Sequence, residues 1–268
     1  QGVVIFSQGL GLGGHCYYMA LAAYFTAHGF LFLTYDATGT DNSEGQNCAG
    51  LEQGVIDLAR IIDYAHNDPD LKRYPITLLG HSWGAYCVCA VLKLHPEVKA
   101  VAAVSGFNRP SRLLRHAFSD MAGGLFSLLV PYMELIERFR FGSYADVTAL
   151  EGFDASRADV LIIHSRDDAN VPLDQGYNQY YAHYQTDPRF HFKLYEDRGH
   201  LFIFYTDAAR AYSRKYVTEA NAVLTEYGQT HAFDKKIGFE SDQEFLAGIL
   251  KFYQSCLNCT LYEVSATI

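Results

Sequence analysis

The sequence predicts an α/β protein with a mostly parallel central sheet flanked by helices on both faces. Two observations carry that prediction. Short apolar runs alternate with amphipathic helical patterns through the first hundred residues, and the same alternation resumes at Val160 after one interruption. Strands separated by helices imply right-handed βαβ units, which leave both sheet faces covered.

The first strand is expected at Val3 to Phe6, and it runs into a glycine-rich loop, Ser7 to Gly14. Because the chain enters a strand at once, with no basic or apolar leader pattern, a lead-in segment ahead of Gln1 is expected. A helix follows over Tyr17 to His28, closed by Gly29. Phe30 to Tyr35 is the next strand, then a turn-rich stretch from Asp36 to Gly50. Leu51, Val55, Leu58, Ile62 and Ala65 recur at three- and four-residue spacing, the mark of a long amphipathic helix. Ile76 to Leu79 is a strand, Ala85 to Leu94 a helix and Ala100 to Val104 a strand.

The alternation breaks from Phe107 to Leu150, where Arg112, Arg115 and Arg138 mix with the apolar stretch Leu125 to Tyr132. Residues 107–150 are expected to form a helical cap inserted into a single core made of 1–106 and 151–268. The core resumes with the strand Val160 to Ile163, a helix over Leu173 to Tyr184 and the strand Phe190 to Tyr195. Tyr205 to Tyr227 reads as a helix and His231 to Ser241 as a polar loop. Gln243 to Cys256, with Phe245, Ile249, Phe252 and Tyr253 on one face, reads as a closing helix.

The 268 residues suffice for a sizeable core, and 49% hydrophobic against 19% charged residues is ordinary for a globular chain. Thirty acidic against 21 basic residues give a net charge of -9, which repels phosphate backbones and excludes nucleic acid as a natural partner. No apolar run reaches the roughly 20 residues that a membrane-spanning helix needs. Aromatic residues make up 15%, enough that some are expected to line a pocket.

Cys87 and Cys89 lie about 200° apart on a helix, so they cannot bond each other. Cys256-x-x-Cys259 has no second ligand pair to complete a zinc site. Free thiols, and with them a cytoplasmic location, are the expectation.

The informative sequence is Gly80-His81-Ser82-Trp83-Gly84, set between a strand and a helix. In that context it reads as a nucleophile elbow, with glycines where the strained turn leaves no room for a β-carbon. A serine hydroxyl needs a base, itself oriented by a carboxylate. Two downstream strands end in suitable residues: one in His164-Ser165-Arg166-Asp167-Asp168, the other in Glu196-Asp197-Arg198-Gly199-His200. Both ends lie at the carboxyl edge of the sheet, as Ser82 does, and open α/β sheets build their sites there.

On these residues the chain resembles the α/β-hydrolases, over residues 2–106 and 160–200. The resemblance implies that Ser82 is the nucleophile. Aligning the family's G-x-x-D pattern puts Ser165 at the glycine and Asp168 at the acid, with Val171-Pro172 following as in the family; Asp167 is the neighbour set aside. Gly199-His200 matches the family's Gly-His, so His200 is the implied base. One oxyanion donor is the backbone N–H of Trp83. The other is implied at Leu10, since Gln8-Gly9-Leu10-Gly11 stands where the family commonly has His-Gly-x-Gly. Gln8 replaces the usual His and is expected to support the loop by hydrogen bonding. Asp36 to Gly45 resembles a turn that is scaffold in most members.

No metal and no cofactor is expected. There is no H-E-x-x-H, and the glycine-rich loop fails as a dinucleotide fingerprint at its third glycine. The expected chemistry is acyl transfer to water by a monomer or homodimer acting on a small-molecule ester. Cap residues such as Phe118, Met121, Phe126 and Tyr132 suggest hydrophobic acyl groups of small to medium size, and His15 in the glycine-rich loop is a further candidate contact. Serine aminopeptidase or prolyl peptidase activity is the alternative, with Glu134 or Glu137 available to hold an amine. A triad-using lyase and a catalytically silent binding protein are more distant readings.

Overall fold

The structure, a computed structural model, describes residues 1–11, 18–122, 130–226 and 233–265; at 117–122, 130, 217–226 and 258–265 it describes the backbone alone. Six strands form one sheet: β1 (Val3–Ser7), β2 (Leu31–Thr34), β3 (Ile76–His81), β4 (Ala100–Val104), β5 (Asp159–Ser165) and β6 (Phe190–Tyr195). Their order is β2-β1-β3-β4-β5-β6, and every pairing is parallel. The central strands β1, β3 and β4 are buried along their whole length, which is why they read as unbroken apolar runs.

Alternation along β1 divides the core in two. Val3 and Ile5 face one side, packed with Leu78, Val101 and the helices α2 (Gln53–Asn67) and α3 (Trp83–Ala90). Val4 and Phe6 face the other, packed with Leu79, Ala102 and the helices α1 (Met19–Ala27) and, from the end of the chain, α10 (Gln243–Ser265). The periodic residues of α2, namely Val55, Leu58, Ile62 and Ala65, are all buried. So are Phe245, Ile249, Phe252 and Tyr253 of α10, each contributing on the order of 2 kcal/mol by burial. Tyr253 Oη donates to the Leu78 carbonyl at 2.7 Å, which fastens α10 to the strand leading into the elbow.

The described residues of the interrupted segment include the helices α4 (Pro110–Ala122) and α5 (Val130–Phe141). Its ends pack into the core. Phe107 is buried and stacks on Tyr86 with ring centroids 4.9 Å apart, and Val147 and Ala149 are buried too. The helix α6 (Ala149–Ala155) opens with a capping box in which Thr148 and Glu151 satisfy each other's backbone N–H groups.

The helix expected over Leu173 to Tyr184 is broken into a short 3-10 turn, Leu173–Gln175, and α7 (Tyr177–Tyr184). Gly176 between them pairs with Phe107, and a β-carbon there would lie 2.3 Å from the Gly106 carbonyl oxygen. The close approach of the two segments sets the break. After β6 come α8 (Asp207–Glu226) and a one-turn helix, α9 (Lys235–Gly238), which lies inside the stretch expected to be loop. No helix among the described residues is long and apolar enough to cross a membrane.

Candidate active site

Ser82 sits between β3 and α3 with φ 56° and ψ -116°, a backbone conformation that costs a residue with a side chain about 1–3 kcal/mol. The glycines on either side permit the turn. A β-carbon on Gly84 would lie 2.0 Å from the Ser7 carbonyl oxygen, and one on Gly80 would lie 2.3 Å from the Gly84 oxygen. The elbow is thus pressed against the end of β1. That contact also carries the glycine-rich loop past the serine, with the position of a β-carbon on Gly9 only 3.5 Å from Ser82 Cβ.

Ser82 Oγ lies 2.8 Å from His200 Nε2, and His200 Nδ1 lies 2.7 Å from Asp168 Oδ2. Asp168 Oδ1 accepts the backbone N–H groups of Asn170 and Val171 at 3.0 and 2.8 Å. Burial pushes the Asp168 carboxyl up, but the hydrogen bonds from His164 and His200 outweigh it and hold the group well below the usual carboxylate range. The carboxylate is therefore ionised at neutral pH. It fixes His200 with the proton on Nδ1 and leaves Nε2 free to accept from the serine. Ser82, Asp168 and His200 are thus brought together as the sequence reading expects.

Asp167 does something different. Its Oδ1 accepts from Ser165 Oγ at 2.6 Å and from the Gly199 N–H at 2.8 Å, while Ser165 Oγ accepts the Arg198 N–H at 2.8 Å. These bonds splice the turn after β5 to the turn that carries His200. Ser165, standing at the family's glycine position, uses its hydroxyl for that splice.

Trp83 is the first residue of α3, and its backbone N–H belongs to the first turn, where no intrahelical acceptor exists. Its indole Nε1 donates to the Leu51 carbonyl at 2.7 Å, so the residue is clamped from behind. Leu10 follows Gly9 in the loop beside Ser82 and is 47% exposed. Gln8 is buried, but its Oε1 has no hydrogen-bond partner, so the expected support of the loop through that oxygen is not made.

Two histidines turn out to be part of the surroundings. His81 Nε2 donates to the His200 carbonyl at 3.0 Å, and its Nδ1 accepts from Tyr18 Oη at 2.9 Å. Burial, reinforced by the neighbouring His200, pulls the His81 pKa down to about 3, so the ring is neutral and can play both parts. His164 is fully buried, with Nε2 2.8 Å from the Val171 carbonyl oxygen and 3.3 Å from Asp168 Oδ2. Its place four residues before Asp168 was the available signal. Nothing in the sequence pointed to Tyr18.

The remaining expected contacts fare differently. His15 and Phe126 lie outside the described residues, as do the side chains of Phe118 and Met121. Tyr132 is 64% exposed on α5, and it does not line the cavity of about 420 Å³ beneath that helix. That cavity is lined by charged residues, among them Glu52, Arg109, Arg115 and Glu137, and by apolar ones, Leu114, Met133 and Val147. Glu52 is buried there, and desolvation, with the Glu137 carboxylate adding to it, raises its pKa to about 7.

A family model described as serine aminopeptidase, S33, matches residues 1–150, which hold the first four strands and the whole elbow. The chain belongs to that family of α/β-hydrolases. Solved structures agree on the fold of this hydrolase. An esterase of Pyrococcus furiosus superposes with a TM-score of 0.55 at 16% identity, over 85% of this chain and 84% of that one. Mouse α/β-hydrolase domain-containing protein 10 gives 0.52 at 17% identity, over 83% and 90%. Acetyl xylan esterase 1 of a Thermoanaerobacterium species gives 0.51 at 18% identity, over 82% and 74%.

Proposed function

We propose that this hydrolase cleaves carboxylic esters through an acyl-enzyme, with Ser82 as nucleophile, His200 as general base and Asp168 as the carboxylate that orients it. The reading rests on one observation, the unbroken hydrogen-bonded chain from Ser82 Oγ through His200 to Asp168. In the first half-reaction His200 Nε2 takes the Ser82 proton as Oγ attacks the carbonyl carbon, and then passes it to the departing alkoxide. The negative charge that develops on the carbonyl oxygen falls to the backbone N–H groups of Trp83 and Leu10, reinforced by the amino end of α3. Water activated by the same His200 then releases the acid. Residues 109–146, carrying α4 and α5, serve as the cap.

Esters are preferred over amides in this reading because two of the structural relatives are named as esterases. Small to medium hydrophobic acyl groups remain the proposed substrates. A second reading, hydrolysis of aminoacyl amides, is supported by the family description, serine aminopeptidase. Kinetics on p-nitrophenyl esters of increasing chain length, run beside aminoacyl naphthylamides, separates the two. Ester turnover lost in Ser82→Ala supports the proposal; naphthylamides turned over faster than every ester would replace it with the second reading. Equal rates in Ser82→Ala and the parent would sink both.

A further inference from the structure

A second group of side chains with its own chemistry lies at the opposite edge of the sheet from Ser82. His66, in the last turn of α2, and His95 and Glu97, in the turn leading into β4, place their ligand atoms within 4.8 Å of one another. His66 Nδ1 is 3.6 Å from Glu97 Oε1, and His95 Nδ1 is 2.9 Å from the same oxygen. Two ligands bound at ~2.0–2.1 Å to a tetrahedral zinc ion stand about 3.3 Å apart. The two observed separations bracket that value. Only small side-chain movements would let all three atoms face one ion.

We propose that His66, His95 and Glu97 form a surface site for a borderline divalent ion of the zinc class. Two imidazoles and a carboxylate suit zinc and its first-row neighbours; magnesium and calcium prefer all-oxygen shells. The other face of His95 supports the assignment. Its Nε2 lies 3.9 Å from Asp63 Oδ1, so a carboxylate stands behind the ring, as it does behind the histidines of many zinc sites. His95 is also well fixed: its side chain is 12% exposed and its backbone N–H is bonded to the Val91 carbonyl at 2.9 Å. The adjoining Pro96 carbonyl accepts from Ser156 Oγ at 3.3 Å. Among the described residues no other set of three His, Cys, Asp or Glu side chains converges in this way.

A bound ion would clip the carboxyl end of α2 to the turn before β4. Its role is structural, because β3 carries Ser82 at the other end of the same layer. Three protein ligands leave one position for water. A half-exposed site of this kind binds with Kd on the order of micromolar rather than nanomolar.

The test is isothermal titration of the purified, reduced protein with Zn²⁺, paired with thermal melts and with Mg²⁺ as the control ion. One Zn²⁺ per chain with Kd below about 10 µM is expected, and Tm rises by roughly 5 °C at a hundredfold excess over Kd. His66→Ala and Glu97→Gln, both exposed and so expected to fold, weaken binding by more than tenfold, and Asp63→Asn by about tenfold. Ester or amide turnover without added metal stays unchanged in all three. Absence of saturable binding below 100 µM overturns the proposal, and so does tight binding that His66→Ala and Glu97→Gln leave intact, since the ion would then sit elsewhere. In either case the cluster is an ordinary set of histidine–carboxylate ion pairs.

Discussion

Asparagine in place of Asp168 isolates the contribution of one charge, because the two side chains have the same shape. The carboxylate accepts two backbone N–H groups on Oδ1 and the His200 ring on Oδ2, with His164 also within 3.3 Å of Oδ2. Keeping the two backbone bonds obliges the asparagine to place its oxygen at Oδ1 and its NH2 at Oδ2. That NH2 donates, so His200 can meet it only by turning Nδ1 into an acceptor and moving its proton to Nε2. The proton then points at Ser82 Oγ, and the ring can no longer act as base. A wrong tautomer of this kind costs about 10³- to 10⁴-fold in kcat, roughly 4–5.5 kcal/mol of barrier. His164 loses its carboxylate neighbour as well, which removes about 1–3 kcal/mol of stability. The assay is p-nitrophenyl butyrate hydrolysis by the parent, Asp168→Asn and Asp167→Asn, with KM expected to move little. Asp167→Asn disturbs only the splice between the two turns and is expected to lose about tenfold at most. An Asp168→Asn enzyme within tenfold of the parent, or an Asp167→Asn enzyme equally crippled, would refute the assignment.

Three further expectations concern the support of the site. Glu52 has its pKa raised from 4.5 to about 7, mainly by burial, a gap worth about 3 kcal/mol. Below pH 4.5 both the folded and unfolded forms are neutral there; as pH rises to 7 the unfolded chain ionises first, so stability is lost, and the loss is complete above pH 7. Glu52→Gln therefore gains up to about 3 kcal/mol over the parent at pH 8 and little at pH 4.5 in urea titrations; a difference that does not change with pH contradicts the burial argument. His81→Phe leaves Tyr18 Oη and the His200 carbonyl without their partner, so kcat falls by about tenfold at constant KM and ~2 kcal/mol of stability is lost; a change in KM alone would argue against a positioning role. Gly84→Ala drives a methyl into Ser7 and lowers Tm by roughly 10 °C, whereas Gly248→Ala, with open space around it, is neutral or slightly stabilising.

The order and type of the elements were legible because strands buried on both faces leave unbroken apolar runs and because α2 and α10 each bury one stripe. The break at Gly176 was not, since it depends on Phe107 arriving from a distant part of the chain. At the site, Ser82, Asp168 and His200 each follow the carboxyl end of a strand and were readable one at a time from the motifs they resemble. His81 and Tyr18 were not, because their link, 63 residues apart in sequence, is made only when α1 packs on the sheet. The segment proposed as a cap shows the limit of composition most plainly. The sequence offered Glu137 as a possible partner for a substrate amine but gave no sign that Glu52, from the core, would meet it in a common cavity.

The all-parallel sheet also fixes when the enzyme becomes competent. β3, β4, β5 and β6 join one growing edge in the order in which the chain is made. The elbow can form once β1, β3 and α3 have met, while the partner of Ser82 Oγ lies 118 residues further on. A nascent or clipped chain ending before residue 200 would hold the strained serine without its proposed base. The α10 helix, which shields the second sheet face, arrives later still. On the proposed triad, hydrolytic power follows the pairing of all six strands instead of preceding it.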